Sequence, residues 1–195
     1  MALVFVEAHS LPEINRREVL RYAGIRSANG VTDELISLLD DAIALIDGKL
    51  SPRVCFCELP VDALDFMGSS DIKRNLRSSQ SVIAFAATLG IELDRLILRH
   101  EVLSPATALL LNALGSERVE ALCDAFCEKR AEEKCALGER LRPRYSAGYG
   151  DLPLEFQKTV FALLDPPSHI GITLNSSYLM SPSKSVTALI GVEKI

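Results

Sequence analysis

Residue types that could bind or position a ligand crowd into one short segment, residues 142–153, which reads RPRYSAGYGDLP. Arg142 and Arg144 are fixed cations that can fork onto a carboxylate or a phosphate. The small residues between the tyrosines would let a ligand approach the backbone, and Gly148 adopts a positive φ at little cost. Such a segment indicates a compact ligand that is partly anionic and partly flat. The alternative is a Gly/Pro turn between two helices with ordinary surface arginines.

Composition excludes several classes of protein. A chain of 195 residues with 48% hydrophobic content is long enough to bury the core of one domain. The net charge of −5 and the lack of a Lys/Arg run argue against nucleic-acid binding. The apolar runs are too short to cross a bilayer. Because the N-terminus has no signal-peptide pattern and five cysteines is an odd number, we expect a cytoplasmic protein.

Hydrophobic periodicity and capping residues predict the order of elements. Strand-like runs occur at residues 3–6, 54–59, 81–88, 169–174 and 186–192. Helical patterns run over 16–22 after the cap Asn15, from the cap Thr32 to Gly48, over 91–99, from the cap Ser104 to about 134, and over 154–164. Strands at both ends with helices between them indicate an α+β fold, an antiparallel or mixed β-sheet with helices packed on it. We expect one domain over 1–195, with a helical and strand portion at 1–80 and the remainder at 81–195.

Three local features refine this prediction. Residues 81–88 form a continuous apolar run, which is typical of a central strand buried on both faces. Gly115 lies inside the longest helix and costs about 1 kcal/mol relative to alanine, so it indicates a tight crossing or a break there. Pro166 and Pro167 are expected to end the helix before them.

The cysteines are better interpreted as structural than as metal ligands. Cys55 and Cys57 are two apart on a predicted strand, so their thiols would share a face. Cys123 and Cys127 are one helical turn apart, but no neighbouring His or Cys completes a set of four ligands. We therefore predict that all five cysteines are buried, and we predict no metal site.

Other catalytic patterns are missing from the sequence. The three histidines have no partners at useful spacing, so no general base is assigned. No GxGxxG, GxxxxGK[ST] or GxSxG motif occurs. The serine-rich segment 181–186, which includes Lys184, could hold a ligand or partner through its hydroxyls. The alternative for that segment is a polar hairpin loop.

Three separated segments together resemble a known family. They are RYSAGY at residues 144–149 followed by Pro153, the stretch 174–180, and PSKSV at residues 182–186. This pattern resembles the activation (S-adenosylmethionine-binding) domain at the C-terminus of vitamin B12-dependent methionine synthase. The family pattern is Arg-Pro-Ala-Pro-Gly-Tyr, three residues, a proline, a strand, and then Pro-x-x-Ser-Val. The resemblance covers about residues 81–192, and the long helix around 109–124 is also similar to the family's.

The resemblance implies a ligand and a set of contacts. In this family the domain holds S-adenosylmethionine over an oxidised cobalamin. Arg144 matches the arginine that grips the methionine carboxylate. The cofactor-binding residues implied here are Arg144, Ser146, Gly148 and Tyr149 of the motif, Asp124 or Glu128 of the long helix, and Ser183 and Ser185 of the serine-rich loop. No catalytic residue is implied, since the protein positions the reacting groups.

The sequence also departs from the family pattern. Ser146 and Ala147 replace the motif's alanine and second proline, and Glu155 stands where we expect a histidine. No counterpart of the family's C-terminal extension, which supplies another tyrosine, follows the PSKSV segment before Ile195. The cobalamin-binding Asp-x-His-x-x-Gly signature is also missing, so the resemblance implies that a partner carries the cobalamin.

The leading hypothesis is an accessory subunit that presents S-adenosylmethionine during reductive reactivation of a cobalamin-dependent methionine synthase or another corrinoid protein. A flavodoxin-like electron donor is an implied third partner. The alternative is a non-catalytic interaction module that docks on a corrinoid methyltransferase without binding S-adenosylmethionine. An unrelated small-molecule enzyme would need a general base that the sequence does not offer.

Overall fold

The computed structural model describes residues 3–25 and 30–195. Its central element is an antiparallel sheet of five strands. The strands, in sequence order, are β1 (Phe5–Ala8), β2 (Arg53–Pro60), β3 (Ser81–Thr88), β4 (Glu139–Leu141) and β7 (Ser185–Lys194). Their spatial order is β1-β2-β3-β7-β4. Two further strands, β5 (Thr173–Leu174) and β6 (Met180–Ser181), pair separately. The expected α+β architecture is confirmed, and the sheet is antiparallel throughout.

Strand β3 lies at the centre of this sheet and is buried on both faces. Its eight residues pair with β2 on one side and with β7 on the other, without a break in register. Phe85 and its face neighbours belong to one hydrophobic core, and Ala84 and its neighbours belong to a second. Since successive residues of a strand point to opposite faces, a doubly covered strand is apolar at every position. The prediction for residues 81–88 is confirmed.

Helices cover both faces of the sheet. One face packs against α1 (Arg16–Tyr22), α2 (Asp33–Ile46), α4 (Glu92–Leu103) and α5 (Pro105–Cys135). The other face packs against α3 (Ser70–Asn75), α6 (Gln157–Leu164) and α7 (Pro166–Ile170), with 3₁₀ turns at Val61–Ala63 and Leu154–Phe156. Among residues 3–25 and 30–195, no helix has both the length and the apolar character to cross a membrane.

Capping residues set the helix boundaries where the sequence predicts them. The side chains of Asn15, Thr32 and Ser104 each accept a hydrogen bond from the backbone N–H three residues further on. These bonds satisfy donors that the first helical turn leaves unpaired. The predicted starts of α1, α2 and α5 are therefore confirmed.

One prediction near the C-terminal third is wrong. Residues 169–174 are not one strand, because only Thr173 and Leu174 are extended and the residues before them complete α7. The helix before the prolines ends at Leu164, as predicted. Asp165 then adopts a left-handed conformation with φ 43°, and the two prolines also begin a new helix. Proline suits the first helical turn because its missing N–H has no partner there in any case. Strand β4 was missed since three residues carry too little alternation to detect.

Gly115 lies at a tight crossing of α5 with α4, which is one of the two explanations that the sequence suggested for this glycine. A β-carbon at this position would lie 2.6 Å from Leu93 Cδ2 on α4 and 2.8 Å from Lys184 Cε. The α5 helix continues through this point from Pro105 to Cys135, so the break is excluded. Glycine is needed because α4 and the Lys184 stem both lie against the helix backbone.

We expect Gly115→Val to lower the free energy of unfolding by about 1–3 kcal/mol, because the added methyl groups overpack the α4–α5 crossing. Urea denaturation followed by circular dichroism measures this change. Glu132→Val, at an exposed position of the same helix, is the matched control for the introduction of valine. Equal stability of the Gly115 variant and wild type would contradict the crossing as a packing constraint.

Candidate functional site

The arginine- and tyrosine-containing segment continues the path of β4 along β7. Leu141 pairs with Val192, and Tyr145 exchanges both backbone hydrogen bonds with Leu189 at 2.8 Å. Three residues between these pairs, 142–144, therefore oppose only two on β7. This extra residue is a bulge, which redirects side chains in an edge strand.

The bulge sends the two arginines to different neighbours. Arg142 Nε donates to the carbonyl of Asn75 on α3 at 3.0 Å, and its guanidinium lies 3.7 Å from Glu193. Arg144 instead reaches α5 on the other face of the sheet. The two guanidinium groups therefore have different partners, although both residues line one cavity, and Arg144 is the one that contacts acids of α5.

Two carboxylates of α5 hold the Arg144 guanidinium. Its Nη2 lies 2.5 Å from Glu120 Oε2 and 3.2 Å from Asp124 Oδ1. The other terminal nitrogen, Nη1, is buried and has no hydrogen-bond partner in the described part of the chain. The guanidinium thus has one nitrogen engaged by acids and a second nitrogen that is enclosed by the protein without a hydrogen-bond partner.

Glu120 is a site residue that the sequence reasoning missed. It lies one helical turn before Asp124, and Asp124 lies one turn before Glu128, so the three acids follow one line along α5. That four-residue spacing was visible in the sequence and could have identified Glu120. Asp124 lies beside Arg144 and Glu128 is the next acid along the helix, and the role of either as a ligand contact stays a prediction.

Two cavities lie beside this line of acids. The smaller has a volume of about 380 Å³, and its lining includes Asp124, Glu128, Arg144 and Ile190. The larger has a volume of about 740 Å³ and lies between α5 and the segment before α1. Asp124 and Glu128 line both, so the acids form the boundary between them.

A buried ion pair fixes the far wall of the larger cavity. Glu117 and Arg118, adjacent on α5, are 5% and 3% exposed and are bonded to each other. Arg118 also donates to the carbonyls of Pro12 at 2.6 Å and Glu13 at 3.0 Å, while Glu117 accepts from the Asn15 N–H at 2.9 Å. These hydrogen bonds offset part of the cost of burying the two charges. They attach the N-terminal segment to α5 next to Glu120.

The RYSAGY loop has a defined turn at the position of the implied ligand contacts. Gly148 has φ 87°, which only glycine adopts without strain, and its N–H donates to the Leu152 carbonyl at 2.9 Å. The Tyr149 N–H lies 3.3 Å from the Ser146 carbonyl, and the Tyr149 side chain is 69% exposed. Ser146, Gly148 and Tyr149 therefore lie together in one surface turn that follows Arg144.

Asp151 closes this loop and was also missed. Its carboxylate accepts hydrogen bonds from the backbone N–H of Ser70 at 2.8 Å and of Asp71 at 3.1 Å. It also accepts from the Ser70 hydroxyl at 2.8 Å and from the Ser69 hydroxyl. These hydrogen bonds hold the pKa of Asp151 well below its ordinary value, and the bond from the Ser69 hydroxyl contributes most. No sequence signal links positions 70 and 151, because the contact joins segments 80 residues apart.

Ser183 and Ser185 lie toward the other end of β7. The Ser183 hydroxyl donates to Asp94 on α4 at 2.7 Å, and the Ser185 hydroxyl lies 2.9 Å from Thr88 Oγ1. Ser185 lies four residues before Leu189, which pairs with Tyr145, and four residues of extended strand span about 13 Å. Ser183 thus contacts α4 and Ser185 contacts β3, and their role as ligand contacts stays a prediction.

The cysteines divide into buried and accessible positions. Burial raises the pKa of Cys55 to about 12 and that of Cys57 to about 11, so these thiols are unreactive at neutral pH. Cys123 is also buried, but Cys127 is half-buried and Cys135 is exposed. The prediction that all five are buried is therefore wrong for Cys135, which lies at the solvated end of α5. Within residues 3–25 and 30–195, no three His, Cys, Asp or Glu side chains are arranged to hold a metal ion.

Comparison with known proteins rests on structure alone. No protein-family model matches the chain, and no curated protein matches it. A solved structure described as the crystal structure of the MetH reactivation domain bound to AdoHcy superposes with a TM-score of 0.73. The match covers 97% of this chain and 78% of that chain, at 17% sequence identity. The chain has the fold of the MetH reactivation domain.

The MetH match and the sequence resemblance agree, although they use different information. The resemblance depends on three short segments within residues 81–192, whereas the MetH superposition extends over nearly the whole chain. At 17% identity most side chains differ, so the shared feature is the arrangement of the sheet and helices. The expectation of a methionine synthase activation domain-like fold is confirmed.

The depressed pKa of Asp151 predicts a pH-dependent contribution to stability. An ordinary aspartate pKa is about 4, so the stabilising contribution is complete above that value and is lost as pH falls through the lower folded-state pKa. We expect Asp151→Asn to be less stable than wild type at neutral pH, with a difference that shrinks in acid. Urea denaturation across a pH series measures it, with Asp62→Asn at a nearby exposed position as control. A difference that stays constant with pH would contradict the assignment.

Proposed function

We propose that this chain binds S-adenosylmethionine beside the RYSAGY loop and presents it to a cobalamin carried by a separate protein. The observation that carries the proposal is the position of Arg144, whose guanidinium contacts Glu120 and Asp124 and, with Asp124, lines a cavity. The loop belongs to a fold in which a solved relative holds AdoHcy. AdoHcy is what remains of S-adenosylmethionine once its methyl group has left.

The charges around Arg144 match an amino-acid head group. A ligand carboxylate would bind the Arg144 guanidinium in exchange for one of its acids, and a ligand ammonium would bind Glu120 or Asp124. The amino-acid end of S-adenosylmethionine carries both groups on one carbon. The cavity of about 380 Å³ at Arg144 lies within the range of small-molecule sites. Ser146, Gly148 and Tyr149 would then border the ligand through the exposed turn.

The proposed role of the chain is to position one substrate for chemistry on another protein. A corrinoid supplies a reduced cobalt that accepts the sulfonium methyl, and a flavodoxin-like protein is the proposed source of the electron. Arg144 and its two carboxylates would fix the amino-acid end, leaving the sulfonium free to face the partner. Such positioning accelerates a reaction by removing the entropy cost of bringing reactants together. A methionine synthase, or another corrinoid methyltransferase, is the proposed partner.

A second candidate is an interaction module that docks on a corrinoid protein without S-adenosylmethionine. The observation that favours it is the internal pairing of Arg144, since Glu120 and Asp124 already balance its charge. In this candidate the ion pair is structural and ties the loop to α5. The two candidates differ in whether Arg144 affects ligand affinity.

We expect purified protein to bind S-adenosylmethionine and AdoHcy in calorimetric titration, but not methylthioadenosine, which lacks the amino-acid group. Arg144→Gln is expected to weaken binding about 10- to 100-fold, since hydrogen bonds to charged groups are worth about 1.5–3 kcal/mol. Arg140→Gln, an exposed arginine four residues earlier, is the matched control.

The analogues separate the two candidates. Equal binding of methylthioadenosine and AdoHcy would exclude an amino-acid site at Arg144. Binding by wild type that is unchanged in Arg144→Gln would move the site elsewhere. No heat with any adenosyl compound, for a folded protein that still binds a corrinoid partner, would support the interaction module.

Reactivation itself can be measured with a methionine synthase from which the activation domain has been removed. We expect return of the methylcobalamin absorbance spectrum from the oxidised enzyme only when a reductant, S-adenosylmethionine and this chain are all present. Arg144→Gln should slow the return at subsaturating S-adenosylmethionine. Recovery at the same rate without this chain would contradict the proposed function.

A further inference from the structure

The RYSAGY loop is attached to the protein at two points, one on each side of its exposed turn. Before the turn, Tyr145 pairs with Leu189 on β7 through two backbone hydrogen bonds of 2.8 Å. After the turn, Asp151 accepts four hydrogen bonds from Ser69, Ser70 and Asp71 at the start of α3. The residues between these attachments are half-buried or exposed. These two attachments therefore hold the turn together with its own backbone hydrogen bonds, from Gly148 to Leu152 and from Tyr149 to Ser146.

The attachment to α3 is reciprocal. The backbone N–H of Asp151 donates to Asp71 Oδ2 at 3.3 Å, so each aspartate bonds the backbone of the other segment. The hydroxyl of Tyr145 donates to the Tyr149 carbonyl at 3.1 Å and closes the turn on itself. A β-carbon at Gly150 would collide with both Asp71 Oδ2 and the Tyr145 hydroxyl. Glycine at position 150 thus permits the close approach of loop and helix.

The hydrogen bonds between Asp151 and the start of α3 are stronger than those of an ordinary turn. A carboxylate at the first turn of a helix accepts bonds from N–H groups that lack helical partners. Bonds to an ionised acceptor are roughly twice as strong as neutral ones. α3 in turn is fixed to the second core through Ile72, which is fully buried. The Asp151 side chain therefore connects the end of the loop to the interior, next to Leu152, which is buried in the same core.

We propose that Asp151 is a positioning residue, which holds the RYSAGY loop in its ligand-binding conformation by bonding it to the start of α3. This inference rests on the proposed function, because the ligand it positions is S-adenosylmethionine. Asp151 itself need not touch the ligand. Apparent affinity falls in proportion to the fraction of molecules whose loop is correctly placed. Release of the α3 attachment lowers that fraction.

The test compares Asp151→Asn and the milder Ser70→Ala with wild type. Ser70→Ala removes one of the four hydrogen bonds and leaves the carboxylate in place. We expect about tenfold weaker S-adenosylmethionine binding for Asp151→Asn and a smaller loss for Ser70→Ala. Asp62→Asn, on the neighbouring 3₁₀ turn, is the matched control.

Two measurements separate positioning from general destabilisation. Hydrogen exchange by mass spectrometry should increase for the 145–152 segment and for the start of α3, with β3 unchanged. Ultraviolet titration should find the Tyr145 hydroxyl easier to ionise in Asp151→Asn, since burial and then the charges of Asp71 and Asp151 raise its pKa in wild type.

The results for loop exchange and for ligand affinity together test the positioning role of Asp151 and the proposed function separately. Faster loop exchange with weaker binding supports the proposal. Unchanged loop exchange in both variants would overturn it, whatever the affinity. Faster loop exchange at unchanged affinity would also overturn it, because the loop would then not be part of the site. If wild type binds no S-adenosylmethionine while loop exchange responds as expected, the proposed function fails together with the positioning role, and Asp151 is left as a structural cap.

Discussion

The ion pair between Arg144 and the acids of α5 joins the two halves of the candidate site, and its geometry depends on most of the fold. Arg144 reaches α5 because the bulge after β4 turns its side chain away from that of Arg142. β4 is placed by β7, which is placed by the fully buried β3. The acids are placed by α5, whose crossing with α4 is fixed at Gly115. A shift in any of these elements would separate a guanidinium from carboxylates that contact it over 2.5 to 3.2 Å.

Burial of charge on α5 has a second consequence, which concerns the N-terminal segment. The Glu117–Arg118 pair would be costly in the core if it were bonded only internally. Backbone groups of Pro12, Glu13 and Asn15 satisfy its remaining bonds, so the polar pair selects one docking position for the segment before α1. An apolar contact of similar size would fix that position less precisely, because dispersion has little directional preference. One wall of the larger cavity is built in this way.

How much could be predicted from sequence depended on whether the determining contacts are local. The helix starts could be predicted because the caps Asn15, Thr32 and Ser104 each bond a backbone N–H only three residues further on. Strand β3 could be predicted from its continuous run of apolar residues. Arg144 was found because its motif is contiguous. Asp151 and Glu120 were missed because their partners are distant in sequence, although the spacing of Glu120 from Asp124 was a usable signal. The strand predicted at 169–174 is wrong because the prolines after the left-handed Asp165 begin a further short helix, α7, which includes residues 169 and 170.

The internal pairing of Arg144 also bears on which ligands the site would accept. Arg144 is 27% exposed, and its partners Glu120 and Asp124 are 43% and 65% exposed. Ion pairs this accessible are worth about 0.2–1 kcal/mol each, so a ligand carboxylate with two charge-assisted bonds can compete with them. A ligand with a carboxylate alone would leave Glu120 and Asp124 facing added negative charge. A zwitterion brings its own cation and leaves the local charge unchanged. Glu120 and Asp124 would therefore weaken the binding of simple anions and allow amino-acid ligands to bind.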